Sequence, residues 1–519
     1  MIYCMYPASI CLPKHSRPAV SERYTMVFSS LFFVFAFLVL CYGIYLMMPS
    51  VRAKNAVLLV FSLIFYAWGG PPLVLLLCLE TFICYIGGLL IGDARPSVMR
   101  EGGNPRRAKF YMAVTVGMCL AILGIYKYTG FFADTLTGIF GLDNVLPAVA
   151  LPIGISFYTF QLISYVVDVY RGETLPQRNY GKLLLYAALF HQCIAGPIVR
   201  YVDVERELNR RTMNLNETWR GMMRFTIGLG KKAILANTCA VVADSLLGAD
   251  KLAAGAVSSL SVILGVSAYM LQIYLDFSAY SDMAIGMGWM IGFHFKENFN
   301  HPYAATSITD FWRRWHISLS SFFRDYVYIP LGGNRCSKGR HILNLLIVWA
   351  LTGFWHGASW NFVLWGLYFA LFLVLEKYVF KWGMKPVRIG TSILRRVYTL
   401  AVVWFGWFLF RFDDMSVMGD ALTCLFGFGK GFGDMTARIT FLNYLFILAI
   451  SVVACTPVVP FLRDKLSAAI TAEGTPPVAR ATARGLLNVV AVAAPVVLLC
   501  LSILAMVGDN YNPFLYFRF

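Results

Sequence analysis

Apolar runs that are long enough to cross a lipid bilayer recur along almost the whole chain. A helix needs about 20 consecutive apolar residues to cross the hydrocarbon layer. Of the 519 residues, 59% are hydrophobic and only 14% are charged, so one water-soluble core could not bury the apolar groups. The sequence therefore predicts an all-α polytopic membrane protein. The predicted spans cover residues 27–48, 56–68, 72–91, 109–129, 148–170, 255–275, 343–375, 397–410, 440–460 and 486–507.

Charges in the loops predict how these spans are oriented. The loops that begin at Arg52, Arg95 and Arg171 are basic, whereas the loops 69–72 and 133–147 between them contain no Lys or Arg. Because Lys and Arg favour the cytoplasmic side of a membrane, the basic loops are predicted to face the cytoplasm and both termini the outside. The same bias accounts for the net charge of +17, so no nucleic-acid partner is predicted.

The N-terminal residues 1–25 differ from the rest of the chain. They contain three prolines and scattered charges, and no basic segment leads into a short apolar core as in a signal peptide. We interpret them as a disordered tail, or as an over-called start with Met26 as the true initiator. Residues 26–519 are then a single membrane domain, with its core motifs in 274–365.

Two segments depart from the alternation of spans and loops. Residues 183–198 are apolar, yet basic residues flank them on both sides. This pattern predicts a segment that re-enters the membrane without crossing it, which is tolerated where the backbone packs inside protein. Residues 219–248 are mixed in polarity, and Lys231 and Lys232 predict a helix that lies on the membrane surface.

The first candidate functional segment is Asp310-Phe-Trp-Arg-Arg-Trp-His316. Ser307 and Asp310 have the spacing of a helix cap, so residues 308–325 are predicted to form one helix. An apolar face of that helix includes the inward-facing His316, together with Trp312, Trp315, Leu319 and Phe323. The opposite face contains Arg313, Ser320 and Arg324. This cationic face suits a phosphate-rich donor such as an acyl-CoA. A histidine that only hydrogen-bonds a neighbour in an interfacial helix is the alternative.

The second candidate segment is Gly353-Phe-Trp-His356-Gly-Ala-Ser-Trp360. It lies in an apolar run of 33 residues, 343–375, which as one helix would be about 50 Å long against a hydrocarbon layer of about 30 Å. The run must therefore break or bend, and Gly353 and Gly357 are the predicted points. His356 would then lie deep in the membrane, where an ionisable group indicates function. A structural histidine that bridges two half-helices is the alternative.

Other kinds of chemistry lack a pattern in this sequence. The cysteines are scattered singly, so neither a disulfide framework nor a metal site is predicted. No Walker loop, GxSxG, HExxH or histidine cluster occurs. A histidine base without a protein nucleophile points to transfer between two substrates. Four acids lie in or near spans without an assigned role, namely Glu80, Asp168, Asp276 and Asp282.

Several stretches resemble the membrane-bound O-acyltransferase (MBOAT) family, and in particular its alginate O-acetylation branch. They extend from about Met26 to the end of the chain, and the region from 274 to 335 is the most specific. The matching motifs are Asp168–Gly172, Ala195–Ile198, Tyr274–Asp282, Asn298–Tyr303, Asp310–Ser320, Phe323–Tyr326, Ile329–Arg335, Gly353–Gly357 and the closing Asn512–Phe519.

The resemblance implies a ring of about 10–12 transmembrane helices, with re-entrant and interfacial helices around a central catalytic funnel. By this resemblance His356 matches the catalytic histidine and His316 the second, donor-side histidine. Candidate substrate-binding residues around them are Asp310, Arg313, Arg314, Trp315 and Trp355. No tightly bound cofactor and no metal are implied.

The implied activity is transfer of an acetyl or other acyl group from a cytoplasmic thioester, such as acetyl-CoA, toward hydroxyls of a cell-envelope or secreted polysaccharide. The acceptor could be an alginate-type exopolysaccharide or peptidoglycan. An extracytoplasmic partner of the SGNH esterase type is implied, and the bacterial inner membrane is the expected location. Alternatives are D-alanyl transfer to teichoic acid, a transporter or flippase without acyl chemistry, and a lipid-binding scaffold for polymer export.

Overall fold

The structure, a computed structural model, describes residues 26–95, 103–141, 151–193, 196–382, 389–471 and 477–508. These residues form helices joined by loops, with no β-strand among them. Nine helices within these ranges are long and apolar enough to cross a membrane, which confirms the predicted polytopic class. The N-terminal residues 1–25 and the closing motif Asn512–Phe519 lie outside the described residues.

The first half of the chain contains the helices that surround the site on one side. Several of them begin at a polar side chain that accepts a backbone N–H, as Ser50 and Asn104 do. The helices are α1 Leu38–Met47, preceded by the π-helical turn Phe33–Phe37, α2 Val51–Trp68, α3 Pro71–Ala94, α4 Pro105–Phe140, α5 Ile155–Arg171, α6 Tyr180–Ala188, α7 Phe190–Cys193 and α8 Tyr201–Asn209.

The second half contains both histidine segments. Its helices are α9 Leu215–Gly230, the π-helical turn Lys231–Ala236, α10 Asn237–Leu246, α11 Ala249–Ala253, α12 Ser259–Ile291, α13 Ile308–Arg314, α14 Ile317–Phe323, the π-helical turn Arg324–Tyr328, α15 Lys338–His356, α16 Trp360–Val374, the π-helical turn Leu375–Val379, α17 Ile389–Arg411, α18 Met415–Leu425, α19 Met435–Ala454, α20 Val458–Thr471 and α21 Pro477–Gly508.

The predicted surface-lying helix at 219–248 is wrong. This region consists of α9, the π-helical turn Lys231–Ala236 and α10, which pack along α12 and lie within the candidate membrane span Leu215–Ala253. Its Lys232 is almost fully buried and forms an ion pair of 2.9 Å with the equally buried Asp276 of α12. The lysines that indicated a surface position are thus neutralised inside the protein, because α12 places acidic side chains opposite them. The span predicted at 255–275 likewise extends to Ile291.

The helix ends define two faces of the molecule. On one face, which we call the basic face, Arg95 donates to the carbonyl of Arg171 at 3.0 Å, and Arg171 donates to the carbonyl of Asp325 at 2.7 Å. Lys296 pairs with Asp203 at 2.6 Å on the same face. Arg95 and Arg171 belong to the loops that were predicted to be basic and cytoplasmic.

The opposite face is formed by residues 247–258, 357–359 and 411–434. These segments contact one another, since Lys430 donates its backbone N–H to the carbonyl of Val257 at 3.3 Å and Ser359 donates its hydroxyl to the carbonyl of Asp413 at 2.9 Å. They contain five acidic and three basic side chains, which agrees with the charge bias that is typical of loops outside the cytoplasm. The cytoplasmic location of the basic face stays a prediction.

The predicted re-entrant course of 183–198 is confirmed. The chain enters the protein along α6 and leaves it at α8, and Lys182 before this segment donates to the side chain of Asn209 after it at 2.6 Å. Both ends therefore lie on the basic face. Tyr186 inside the segment donates to the carbonyl of Val199 at 2.8 Å, so the interior backbone is satisfied by the protein itself.

Cysteine labelling tests this course in a membrane. In a chain without its native cysteines, we expect cysteines at Asn179 and Asn209 to react with a membrane-impermeant maleimide from the same side. A cysteine at the exposed Lys430 of the opposite face serves as the control and should react only from the other side. Labelling of the first two positions from opposite sides would contradict the re-entrant course.

The apolar run 343–375 folds into a helical hairpin. Helix α15 ends at His356, and α16 returns beside it after a short turn. The two helices touch at two glycines, because a side chain at Gly353 would overlap the carbonyl of Phe362 and one at Gly366 the carbonyl of Trp349. The run therefore breaks at Gly357, as predicted, whereas Gly353 lies within α15.

His356 lies at the tip of the hairpin. By its length, α15 extends for about 27 Å from its first residue, Lys338, to His356. This is close to the thickness of the hydrocarbon layer, about 30 Å. The tip points toward the opposite face, and the depth of His356 in the membrane stays a prediction. Ser359 in the turn donates to the carbonyl of Asp413 at 2.9 Å, on the opposite face.

Candidate active site

His316 lies at a break between two short helices. The predicted cap is confirmed, since the Ser307 hydroxyl accepts the backbone N–H of Asp310 at 3.0 Å. The predicted single helix 308–325 is wrong, however, because α13 ends at Arg314 and α14 begins at Ile317. His316 between them adopts the left-handed conformation, with φ 44° and ψ 56°, which a non-glycine residue adopts only where its surroundings enforce it.

The buried Asn298 enforces this conformation. Its backbone carbonyl accepts the N–H of Ile317 at 2.9 Å. Its side-chain oxygen accepts the N–H of Ser318 at 3.2 Å and the Ser318 hydroxyl at 2.9 Å. The Asn298 amide in turn donates to Ser281 of α12 at 3.2 Å. The turn at His316 is thus attached to the long helix α12, which gives the imidazole a fixed direction.

The imidazole of His316 is buried and only partly satisfied. Its Nδ1 lies 3.4 Å from the Ser318 hydroxyl. Its Nε2 has no hydrogen-bond partner in the part of the chain that the structure describes. Burial lowers the pKa of His316 to about 3, so the ring is neutral near neutral pH. A neutral imidazole with one free nitrogen can bind a substrate group or exchange a proton with it.

His356, the last residue of α15, lies in an aromatic enclosure. Its ring contacts those of Trp355, Trp365 and Phe410 at centroid distances of 5.0, 5.0 and 5.3 Å, all edge to face. Only 4% of the residue is exposed. Water is largely excluded from such a site, so bulk water would not weaken the basicity of a base held there.

The fold brings the two histidine segments together around one indole. The Trp355 ring lies 5.8 Å from the His316 ring and 5.0 Å from the His356 ring, measured between centroids. Trp355 is itself held by Phe157 and Phe160 of α5, at 5.3 and 5.9 Å. The segment attached to Asn298 and the tip of the hairpin therefore meet at this point.

The other predicted substrate-binding residues have different positions. Asp310 pairs with Arg314 at 2.9 Å, with both side chains about one-third exposed. Arg313 is exposed. Trp315 is buried against Trp407 at 4.7 Å, in the aromatic packing beneath the site. Of the five predicted residues, Trp355 alone is packed against both candidate histidines.

The four acids without an assigned role have partners of their own or are simply buried. Asp168 accepts a hydrogen bond from Tyr326 at 2.7 Å, and Asp276 pairs with Lys232. Asp282 pairs with Lys231 at 2.7 Å and Arg224 at 3.0 Å. Glu80 is fully buried in α3.

Sequence reasoning missed two features of the site. One is Asn298, whose motif was recognised but whose contact with Ser318 depends on folding. The other is Lys127 of α4, whose ammonium group donates to the carbonyl of Trp355. The sequence signal for Lys127 was its place inside the predicted span 109–129, two residues from the end. In the structure α4 extends beyond that span to Phe140, and a charge inside a membrane helix indicates function.

Comparisons with known proteins identify the family of this chain. A model of the membrane-bound O-acyltransferase family, MBOAT, matches residues 177–412, which include both histidines. The probable alginate O-acetylase AlgI of Azotobacter vinelandii is 38% identical over 515 residues, covering 95% of this chain and 100% of that protein. The peptidoglycan O-acetyltransferase of Helicobacter pylori is 32% identical over 430 residues, covering 77% of this chain and 79% of that protein.

A more distant relative is the teichoic acid D-alanyltransferase of Bacillus subtilis. It is 28% identical over 275 residues, which cover 50% of this chain and 68% of that protein. The acetyl-transferring relatives are therefore similar to this chain over a larger part of its length. Identity that extends over nearly the whole chain, together with the family match across the histidine segments, establishes that this protein is an O-acyltransferase of the membrane-bound O-acyltransferase family.

Proposed function

We propose that this O-acyltransferase moves an acetyl group from a cytoplasmic thioester, such as acetyl-CoA, to hydroxyls of a cell-envelope or secreted polysaccharide. The bacterial inner membrane is the location that fits this role, with an extracytoplasmic partner of the SGNH esterase type completing the transfer. The observation that supports the proposal most directly is the meeting of His316 and His356 around Trp355. One histidine is attached to the basic face through Asn298, and the other lies at the hairpin tip toward the opposite face.

The donor would approach from the basic face. A cavity of about 210 Å³ lies beside Asn298 and is lined by polar side chains that include Ser281, Arg224 and Lys231. Two exposed arginines lie close to His316 in the sequence. They are Arg313 and Arg324, whose side chain is 61% exposed. Arg224 and Lys231 are already paired with Asp282. Because arginine binds phosphate groups well, the exposed Arg313 and Arg324 are the side chains that suit a thioester whose carrier bears phosphates.

The acceptor would approach from the opposite face. A second cavity of about 390 Å³ is lined there by residues that include Asp244, Arg411 and Asp413. Arg411 follows Phe410, whose ring contacts His356. A hydroxyl that enters past the hairpin tip would thus reach the imidazole without a charged carrier crossing the lipid, which would be costly.

The chemistry requires one base and a polarised thioester. His356 would accept the proton of the attacking hydroxyl as its oxygen bonds to the thioester carbonyl carbon. The carbon–sulfur bond then breaks, and the leaving sulfur takes the proton back from the imidazolium. The products are an acetyl ester and a free thiol, so no external oxidant or reductant is needed.

The relatives support an acetyl group and a glycan acceptor. Two of the relatives described above match most of this chain, and their names are probable alginate O-acetylase and peptidoglycan O-acetyltransferase. The D-alanyltransferase matches half of this chain. Acetyl transfer is therefore favoured over D-alanyl transfer. Membership of the family favours acyl transfer over a transporter, a flippase or an export scaffold.

Sealed vesicles of known sidedness test the proposal. Radiolabelled acetyl-CoA is supplied at one face, and a deacetylated polysaccharide with its soluble SGNH-type partner at the other. We expect labelled polysaccharide only when acetyl-CoA is at the basic face and the acceptor at the opposite face. Vesicles that contain His356→Gln serve as the control for uncatalysed transfer. Labelling that requires both substrates on one face would contradict the two-sided route.

A further inference from the structure

Lys127 is a deeply buried lysine next to the candidate active site. It lies within the long helix α4, with 8% of its surface exposed, and no carboxylate pairs with it among the residues that the structure describes. Lys232, the other deeply buried lysine, differs because Asp276 neutralises it. An unpaired ammonium group inside a membrane protein is costly to bury and is retained where it has a function.

The partners of Lys127 show what it holds. Its ammonium group donates to the Ser156 hydroxyl at 3.1 Å and to the carbonyl oxygen of Trp355. The next residue, Tyr128, donates its hydroxyl to the carbonyl oxygen of Phe354 at 2.6 Å. Two consecutive carbonyls of α15 thus accept hydrogen bonds from side chains of α4.

These carbonyls need donors from elsewhere because they belong to the last turn of α15. The final carbonyls of a helix have no intrahelical partner. The chain itself turns away at Gly357 to form the hairpin, and its last N–H reaches back only to Gly353 at 3.4 Å. A cation at this end of a helix also interacts favourably with the negative end of the helix dipole.

The same turn contains the two aromatic residues at the centre of the site. Trp355 lies between the candidate histidines, and His356 directly follows it. Ser156 connects both contacts, since its hydroxyl accepts from Lys127 while its backbone carbonyl accepts from the Trp355 indole at 3.4 Å. Any shift of Lys127 would therefore move the backbone and the indole that orient His356.

We propose that Lys127 is a positioning residue for acyl transfer: its ammonium group fixes the C-terminal turn of α15 and thereby the direction of the His356 imidazole. This inference rests on the proposed role of His356 in transfer. It predicts that the positive charge of Lys127 is needed, because a neutral side chain would leave the carbonyl end of α15 without its counter-charge.

The experiment compares Lys127→Met, Lys127→Gln and Lys127→Arg in purified, reconstituted protein. Methionine keeps the length of the side chain, glutamine keeps an N–H donor, and arginine keeps the charge. We expect kcat for acetyl transfer to fall about 10²-fold in the methionine variant, the scale of loss that follows from a small misplacement of a reacting group. The KM for acetyl-CoA should stay within about threefold, because the donor binds from the basic face.

Rescue distinguishes positioning from a purely structural role. Arginine should restore kcat to within about tenfold of the wild type, whereas glutamine should remain closer to methionine. Thr129→Val is the matched control, since Thr129 lies on the same turn of α4 and its hydroxyl donates to the carbonyl of Ile125 in that helix at 2.7 Å. If Lys127→Met does not yield folded protein, the kcat values of the glutamine and arginine variants decide. Wild-type kcat in Lys127→Met or Lys127→Gln would overturn the proposal.

A parallel measurement on His356→Gln separates this inference from the function on which it rests. If His356→Gln keeps normal transfer, the proposed role of that histidine fails. If His356→Gln is inactive while Lys127→Met has the wild-type kcat, only the positioning role of Lys127 fails.

Discussion

Replacement of His356 by glutamine is expected to lower acetyl transfer by about 10²–10⁴-fold, the contribution that a positioned general base makes. Glutamine keeps a polar side chain of similar size in the aromatic enclosure, so the hairpin tip should stay folded. The measurement is acetylation of the polymer in cells, with the variant and the wild type at matched membrane levels.

A matched control comes from His191, another fully buried histidine, which lies in the re-entrant segment. It hydrogen-bonds Tyr42 at 2.9 Å and is not part of the site. His191→Gln should therefore retain acetylation close to the wild type once membrane levels are matched. Acetylation within a few-fold of the wild type in His356→Gln would show that this imidazole is structural, as a bridge between the two arms of the hairpin.

Replacement of His316 by glutamine is expected to lower kcat by at least about 10²-fold if its free Nε2 takes part in proton transfer or donor activation. The neighbouring contacts should survive this change, because Asn298 holds the turn through Ser318 and the backbone of Ile317. The measurement is turnover of acetyl-CoA by reconstituted protein, followed as release of free CoA with the acceptor present.

His341→Gln is the control for loss of a buried histidine near the basic face. Its ring contacts the hydroxyls of Tyr328 and Tyr378 at 2.8 and 2.9 Å, far along α15 from the hairpin tip. This variant should release CoA at nearly the wild-type rate. If His316→Gln does so as well, the simpler interpretation applies, in which His316 only supports the turn between α13 and α14.

Much of the architecture was predictable because it depends on residues that are close together in the sequence. Hydropathy indicated the spans, since each apolar run has to leave water whatever surrounds it. The Ser307 cap was readable from spacing alone, as was the break in the run 343–375, because one helix of that length would exceed the bilayer. The basic residues on both sides of 183–198 correctly indicated a segment that returns to the face it left.

The candidate histidines were also found from the sequence, by their setting and by the family resemblance. Their burial was predicted as well, since His316 was expected to face inward and His356 to lie deep in the membrane, and both are buried. Their meeting around Trp355 was not predictable. The left-handed turn at His316 depends on Asn298, which no local pattern relates to it. A helix of 308–325 was the correct expectation for an isolated segment with that periodicity.

Other differences between the predicted and the observed structure also come from contacts between residues that are far apart in the sequence. Lys231 and Lys232 indicate a membrane surface until α12 supplies Asp282 and Asp276 opposite them, and an ion pair lets charged groups enter a protein core. The sequence shows Lys127 as a charge inside a span but not what it binds, because α15 presents the carbonyl of Trp355 to it only in the folded protein. The sequence by itself determined the membrane class, most of the spans and the candidate histidines, because these follow from hydrophobicity, spacing and recognisable motifs. Only the tertiary structure decided which distant polar groups satisfy one another, because hydrogen bonds and ion pairs in a low-dielectric interior depend on contacts between helices that are far apart in the chain.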